Sequence, residues 1–391
     1  MSKTENLKKV FDTTTLQGKL VSLNEEQAST FIDYMVDESK LLKAARFVKM
    51  LKPIKTIAKL FAGGRFLHPG KSGIGLDGSK FQQAQSETLE LKSKMVRGGI
   101  FITDEELQDN IEGNEFKTSF MKLVAKKVAN ELEEISMYAR PVDEDNALST
   151  LDQFTGFKYK LLTDGNVLRA SDTGTFPDRL VNKSKFAKMM KVLATKYRQQ
   201  VQYLTSSDVV IDYGLLFDTV ADSNVRNELR SSILGKSIIE VPLMRVDEPV
   251  LTATSTTVAT TATANGTLNQ VVLTSATGIN IGDSIVYDAG LVTEKVYEVI
   301  GKATNTLTLD RPIEYTMTAT HTVHKATLDG TDAILTNPLN FIYGVQTGDG
   351  AIEFETERVP SLGYKYHFKM RLDFQIENPE AATILTDLKV A

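Results

Sequence analysis

Apolar residues recur at intervals of three and four through Phe116, Phe120, Leu123, Val124, Val128, Leu132 and Ile135. That spacing predicts one amphipathic helix of about six turns, a spine against which a sheet can pack. Its other positions, Lys122, Lys126, Lys127, Glu131, Glu133 and Glu134, predict a charged, solvent-facing side. The same period over residues 182–200 puts Phe186, Met189, Met190, Leu193 and Tyr197 on one face of a second helix. The methionine pair there reads as core packing. A third helix is predicted over 24–51, with Asn24 as N-cap and Glu25 and Glu26 in the first turn. Basic residues recur along it at Lys40, Lys43, Arg46, Lys49, Lys52 and Lys55, continuing past Pro53, which must end or kink any helix. They read either as a solvated face or as an arm lying on the acidic surface of a neighbouring subunit.

Elsewhere the period is two. Residues 88–96 alternate apolar and polar, the mark of a strand with one exposed face. They close an extended excursion over 61–103 that is turned by six glycines between Gly63 and Gly78. "DVVID" and "KSIIEVP" read as short strands among further helix up to Pro249, which makes this part mixed α and β. From Val250 to Leu328 the composition shifts to nineteen threonines and no phenylalanine. Five short strand-like runs ("NQVVLTS", "DSIVYDA", "EKVYEVIG", "NTLTLD", "HTVHKA") are punctuated by Asn265-Gly266, Gly282-Asp283 and Ala289-Gly290. Such spacing predicts an inserted all-β barrel or sandwich. After it, residues 336–359 and 364–385 alternate strongly and read as two long strands joined by a turn at Pro360 to Gly363.

With 391 residues the chain exceeds what one core usually serves, so two or more domains are expected. No stretch is apolar enough for a membrane helix and the start lacks an apolar signal core, so the expected setting is a cytoplasm with no membrane partner. The absence of cysteine excludes disulfides, thiolate nucleophiles and cysteine-ligated metals. A net charge of -5 argues against general affinity for nucleic acid, though not against enclosing it. There are four histidines. His321 and His324 stand three apart on a predicted strand and so point to opposite faces, while His68 and His367 lie in no nucleophile-elbow setting. No catalytic constellation, metal site or cofactor site follows, and the chain is not expected to be an enzyme. "HPGKSGIGLDG" (68–78) spells both the end of a P-loop and G-x-G-x-x-G. The glycine a Walker loop needs is replaced by Arg65, with Gly64 one position off, and Pro69 interrupts any strand feeding the motif. The stretch reads as a glycine-rich surface loop. Its rival is a nucleotide-binding enzyme using Lys71 and Ser72.

The order of parts, arm, extended hairpin, spine helix, α/β body and closing strands, resembles the major capsid proteins of tailed bacteriophages. Theirs is the Hong Kong 97-like fold, shared with encapsulin shells. "RGGIFITDEELQDNI" running on to "FKTSFMKLVAKKVANELEEISMYAR" (97–140) is similar to that family's return strand and spine helix. "KFAKMMKVLATKYRQQ" (185–200) with "ILGKSIIEVPLM" (233–244) resembles its axial-domain helix and following strand, and 351–385 resembles its closing strands. The resemblance implies an α+β chain with an N-terminal arm (1–60), an E-loop (61–103) and a peripheral domain with the spine helix (104–160). It further implies an axial domain (161–249), the inserted β domain (250–328) and closing strands (329–391).

By the same resemblance the chain self-assembles into pentamers and hexamers of an icosahedral virion shell. The shell would be built in a host bacterial cytoplasm with a separate scaffolding protein and a portal, and would hold double-stranded DNA by confinement. An encapsulin compartment is the alternative; a cell-surface adhesin is a weaker rival, lacking an export signal. The E-loop, with "HPGKSGIGLDG" at its tip, would lie on the adjacent subunit. Arg65, Lys94 and Arg97 would meet Glu353, Glu355 and Glu357 of a neighbour. Lys71 and Lys80 could supply the amine of the covalent cross-link some relatives form, but no asparagine lies between Asn340 and Asn378 to accept it, so no such cross-link is expected.

Overall fold

The computed structural model describes residues 21–22, 32–33, 35–62, 84–103, 105, 116–140, 150–171, 178–217, 232–264, 267–287, 289, 294–314, 316–319, 321–347, 352–359 and 362–390. In chain order its elements begin with β1 (Val21–Ser22), α1 (Lys40–Ala44), β2 (Arg46–Met50), β3 (Ile54–Ala62), β4 (Ala84–Lys92), β5 (Lys94–Thr103) and α2 (Phe116–Tyr138). Then come α3 (Phe157–Asp164), β6 (Asn166–Arg169), α4 (Lys183–Val192), β7 (Gln202–Thr205), α5 (Ser207–Leu215), β8 (Ser232–Ile233) and β9 (Lys236–Glu240). Strands β10 (Glu248–Thr260), β11 (Gln270–Leu273), β12 (Ser284–Tyr287), β13 (Lys295–Ala303), β14 (Thr306–Leu309) and β15 (Thr322–Thr336) follow. The chain closes with β16 (Phe341–Gln346), β17 (Glu353–Val359), β18 (Gly363–Ile376) and β19 (Thr383–Leu388). It divides into two compact units: residues 1–33, 47–121 and 342–377, and residues 34–46, 122–341 and 378–391.

In the first unit a sheet runs β1-β17-β18-β16-β2, with β5 also on β18. Each of the two segments that alternate as one long strand is interrupted: in 336–359 β16 ends at Gln346 and β17 begins at Glu353, and in 364–385 β18 ends at Ile376 and β19 begins only at Thr383, after a 3-10 turn. β3 and β4 form a separate antiparallel hairpin, paired from Ile54↔Lys92 to Ala62↔Ala84. The excursion therefore begins seven residues' worth of strand before Phe61, and at Ser93 it passes into β5, a member of the main sheet. Met50, Leu91 and Ile342 anchor the hairpin's base, with Phe47 stacked on Tyr343. Residues 63–83, with His68 and the P-loop-like letters, lie outside the described residues.

In the second unit two architectures share strands. Pairings β10–β11, β11–β14, β14–β13, β13–β12, β12–β15 and β15–β10 close a ring, a small barrel around Val258, Leu273, Ile285, Tyr297, Val299, Leu307 and Val323. Closure leaves no open sheet edge, which suits short threonine-rich strands of modest apolar content. β15 then continues out of the barrel: its residues 331–335 pair with β19 and its residues 333–336 with β7. The adjoining sheet is completed by β6 parallel to β19 and β9 parallel to β7. The compositional change at residue 250 thus falls inside β10 and that at 328 inside β15; neither coincides with a linker.

Four local readings are corrected. "DVVID" is not a strand but the body of α5: Ser206 caps it by accepting from Val209 N, and Asp208 suits its positive N-terminus. Val209 and Tyr213, one turn apart, are its buried stripe, which outweighs the strand preference of two valines and an isoleucine. The helix predicted over 24–51 does not persist: α1 stops at Ala44 and Arg46–Met50 is a strand, so the basic triplet repeat spans helix, strand and bend and marks no single face. On α2, Glu133 is buried and Leu123 is 59% exposed, against the assignment of both by spacing. Glu133 accepts from Ser39 Oγ at 2.6 Å, a bond between residues far apart in sequence. The helix predicted over 182–200 stops early: α4 ends at Val192, Leu193 is its extended C-cap and residues 195–197 form a separate 3-10 turn, although Phe186, Met189 and Leu193 are fully buried against β7 and α5 as their spacing predicts.

Candidate functional site

Of the residues predicted to reach a neighbour, Arg65, Lys71 and Lys80 lie outside the described residues. The other five fall on one sheet. Register places Glu353 opposite Lys369, Glu355 opposite His367 and Glu357 opposite Lys365 on β18, and on the far side of β18 Arg97 lies opposite Lys369 and Lys94 opposite Leu372. Because strand side chains alternate, the three glutamates share a face with Lys369, His367 and Lys365. Lys369 Nζ sits 2.8 Å from Glu353 Oε2, and His367 Nε2 sits 3.7 Å from Glu357 Oε2. The acidic strand therefore already faces Lys369, His367 and Lys365 of its own chain, and Arg97, exposed on β5, stands beyond them.

The strongest electrostatic feature lies elsewhere, in the second unit, where β10 and β15 leave the barrel. Lys158 of α3 points between Glu248 of β10 and Asp332 of β15, its Nζ 2.8 Å from Glu248 Oε2 and 2.7 Å from Asp332 Oδ2. The three side chains are 9%, 10% and 2% exposed. Around them Tyr138 lies under both Lys158 and Arg245, and its hydroxyl accepts from Arg245 N at 3.0 Å. Arg245 pairs with Glu134 at 3.0 Å; Arg140 stacks 3.5 Å over Tyr159 and reaches Glu294, at the start of the barrel's β13 side, at 3.0 Å. Burial pushes Asp332 up to about 6, with Glu248 adding to the shift and Lys158 opposing it. Burial also opposes the Lys158 charge, yet Asp332 and Glu248 hold its pKa well above the ordinary lysine value. Glu248 is held below the usual carboxylate range, against the cost of burial, by Lys158, Arg245 and Arg140.

The sequence carries a faint sign of this cluster. Phe154, Phe157, Lys158 and Leu161 are all buried at helical spacing, so a lysine occupies a core position of α3. Close packing holds α3 there: a Cβ on Gly156 would lie 2.5 Å from Met137 O, so only glycine admits the turn that brings α3 against the end of α2. No group of three or more metal-ligating side chains occurs among the described residues, and no described helix is long and apolar enough to cross a membrane.

A sheet with an antiparallel hairpin beside it, a long helix and a second α/β sheet make up a chain that has the Hong Kong 97-like capsid fold. It matches the satellite phage P4 procapsid that includes the size determination (Sid) protein with a TM-score of 0.56 and 10% identity, over 93% of this chain and 91% of that one. The capsid of an empty GTA particle matches with a TM-score of 0.47 and 9% identity, over 89% of each chain. In sequence, the chain is 29% identical over 130 residues to YqbE of Bacillus subtilis (strain 168), a protein assigned to a prophage capsid. That match spans 33% of this chain and 42% of YqbE. No protein-family model matches. The resemblance to phage major capsid proteins carried by residues 97–140, 185–200, 233–244 and 351–385 thus agrees with both fold and sequence relative.

Proposed function

We propose that the chain is the major capsid protein of a tailed phage or prophage, self-assembling into pentamers and hexamers of an icosahedral shell. The observation that carries this reading is the capsid fold over nearly the whole chain, supported by the sequence relationship to a prophage capsid protein. The body offers surfaces for many weak contacts at once, and multivalency would make a closed shell far more stable than any pair of subunits. The residues before β2 and the β3–β4 hairpin would serve as arms reaching adjacent subunits; an isolated two-stranded ribbon is marginal in water and gains from such a partner. Arg65, Lys71, Lys80, Lys94, Arg97, Glu353, Glu355 and Glu357 would be the charged groups at contacts between subunits, Glu353 being also paired with Lys369 of its own chain. The barrel would stand on the axial domain as a decorating or bracing module. Double-stranded DNA would be confined and not tightly bound, in keeping with a net charge of -5, and scaffold and portal would be separate proteins of the host cytoplasm in which the virion is built.

Electron microscopy of the purified chain, with sedimentation on the same sample, tests the reading. Closed shells, or tubes and sheets of hexamers, with or without a co-expressed scaffold, are expected. A featureless monomer at high concentration under both conditions would overturn it. Particles that co-purify a cargo enzyme and no nucleic acid from their native source would move it to an encapsulin compartment.

A further inference from the structure

Lys158, Glu248 and Asp332 are drawn into one buried point by three elements distant in sequence, and the hydrogen bonding there is incomplete. Neither Oδ1 nor Oδ2 of Asp332 has a properly directed hydrogen-bond partner, and Oε1 of Glu248 has none, although Lys158 Nζ lies 2.7 Å from Asp332 Oδ2. An ionised carboxylate with no backbone N–H donors, taken out of water, is an expensive group to keep. An amine nitrogen held against a carboxyl group, with a second carboxylate on the same nitrogen and aromatic rings excluding water, is a constellation for amide formation.

We propose that Lys158 and Asp332 condense within the folded subunit to an intramolecular amide, with Glu248 carrying the proton. The proton on the Lys158 ammonium passes to Asp332 across the 2.7 Å contact, which turns an ion pair into a neutral amine and acid. Burial favours that neutral pair, but Asp332 and Glu248 hold the proton on Lys158, so the neutral pair is the minor species from which attack occurs. The amine lone pair attacks Asp332 Cγ. Glu248, whose Oε2 lies 2.8 Å from Nζ, takes a proton from the nitrogen and returns it to the departing hydroxyl. The C–O bond breaks, water leaves, the Nζ–Cγ bond forms and Glu248 regains its starting state. Ammonium plus carboxylate gives amide plus water, with no oxidant, reductant or metal. Asp332 is the electrophile because burial raises its pKa, so it takes up a proton readily, whereas Glu248, held below the carboxylate range, keeps its charge and acts as base. The bond would tie α3 to β15 where that strand passes from the barrel into the adjoining sheet, fixing the root of the barrel covalently. It is independent of any contact between subunits.

Intact-mass measurement of the denatured full-length chain, with peptide mapping, decides the matter. The expected mass is lower than the sequence mass by one water molecule, with a branched peptide joining the segments that contain Lys158 and Asp332. Asp332→Asn should lose one ammonia instead, and Glu248→Gln and Lys158→Arg should retain the full sequence mass. Wild-type protein that is folded by circular dichroism, yet holds its full sequence mass after prolonged incubation, would overturn the proposal without recourse to any variant. So would a branched peptide joining Lys158 to Glu248.

Discussion

Asp329 stands where the barrel's last strand meets the C-terminal segment, and its carboxylate is held from three directions. Arg179 Nη2 donates to Oδ1 at 2.9 Å, Thr327 Oγ1 donates to the same oxygen at 2.8 Å, and Lys389 Nζ lies 3.2 Å from Oδ2. Although partial burial opposes the charge, these partners bring its pKa down to about 2. A carboxylate depressed in the folded state stabilises the protein above its unfolded pKa of about 4, and that contribution disappears as pH falls from about 4 through the folded value. Asp329→Asn should therefore lower stability at neutral pH and flatten the decline between pH 4 and pH 2, as read by urea denaturation across a pH series. A mutant whose acid limb matches the wild type would show that the pairing contributes nothing net, the common fate of half-exposed ion pairs.

At the scale of elements, β10 and β15 cross from one architecture to the next where Gly330 lies opposite Glu248. A Cβ on Gly330 would come within 2.7 Å of Val250 Cγ2 and 2.8 Å of Glu248 O. The valine methyl can shift; the backbone carbonyl cannot without breaking the strand pairing. Gly330→Ala is expected to cost about 1–3 kcal/mol of unfolding free energy by chemical denaturation, the usual penalty of overpacking. Gly301, whose added Cβ would meet only the Thr308 side chain at 3.2 Å, serves as the control and should cost less on substitution by alanine. Helix α5 illustrates the same scale differently: a cap at Ser206 and two buried residues one turn apart decide its conformation, not the β-branched run it contains.

For the whole molecule, the barrel's closed ring and its own core, from Val258 to Val323, predict that a fragment of residues 246–331 folds alone as a monomer with a cooperative thermal transition. The reverse excision should fail. Removing 250–328 takes away almost all of the β10–β15 pairing, leaving only Glu248 opposite Gly330, so the remainder should lose cooperative unfolding, while a cut confined to 262–320 keeps that pairing from Glu248↔Gly330 to Thr257↔Thr322. Circular dichroism melts of the three products distinguish these outcomes.

What the sequence by itself determined is whatever repeats locally. The three-and-four spacing of α2 and α4, the alternation of β18 and the five short runs of the barrel are each written within one element, because burial on one face imposes the element's own period. The order of those elements carried the capsid fold. What only the tertiary structure decided is which side chains meet across the chain. Glu133 lies on the charged side of its helix by spacing, yet it is buried because Ser39 arrives to donate to it. Lys158, Glu248 and Asp332 carry no common motif; α3 packing on α2 and the shared strands β10 and β15 bring them within 2.8 Å. Glu353 was legible as a charged residue on a strand, but not that Lys369 already answers it. Periodicity reports the direction in which a side chain points, while its partner is fixed by strand register and helix packing between segments far apart in sequence.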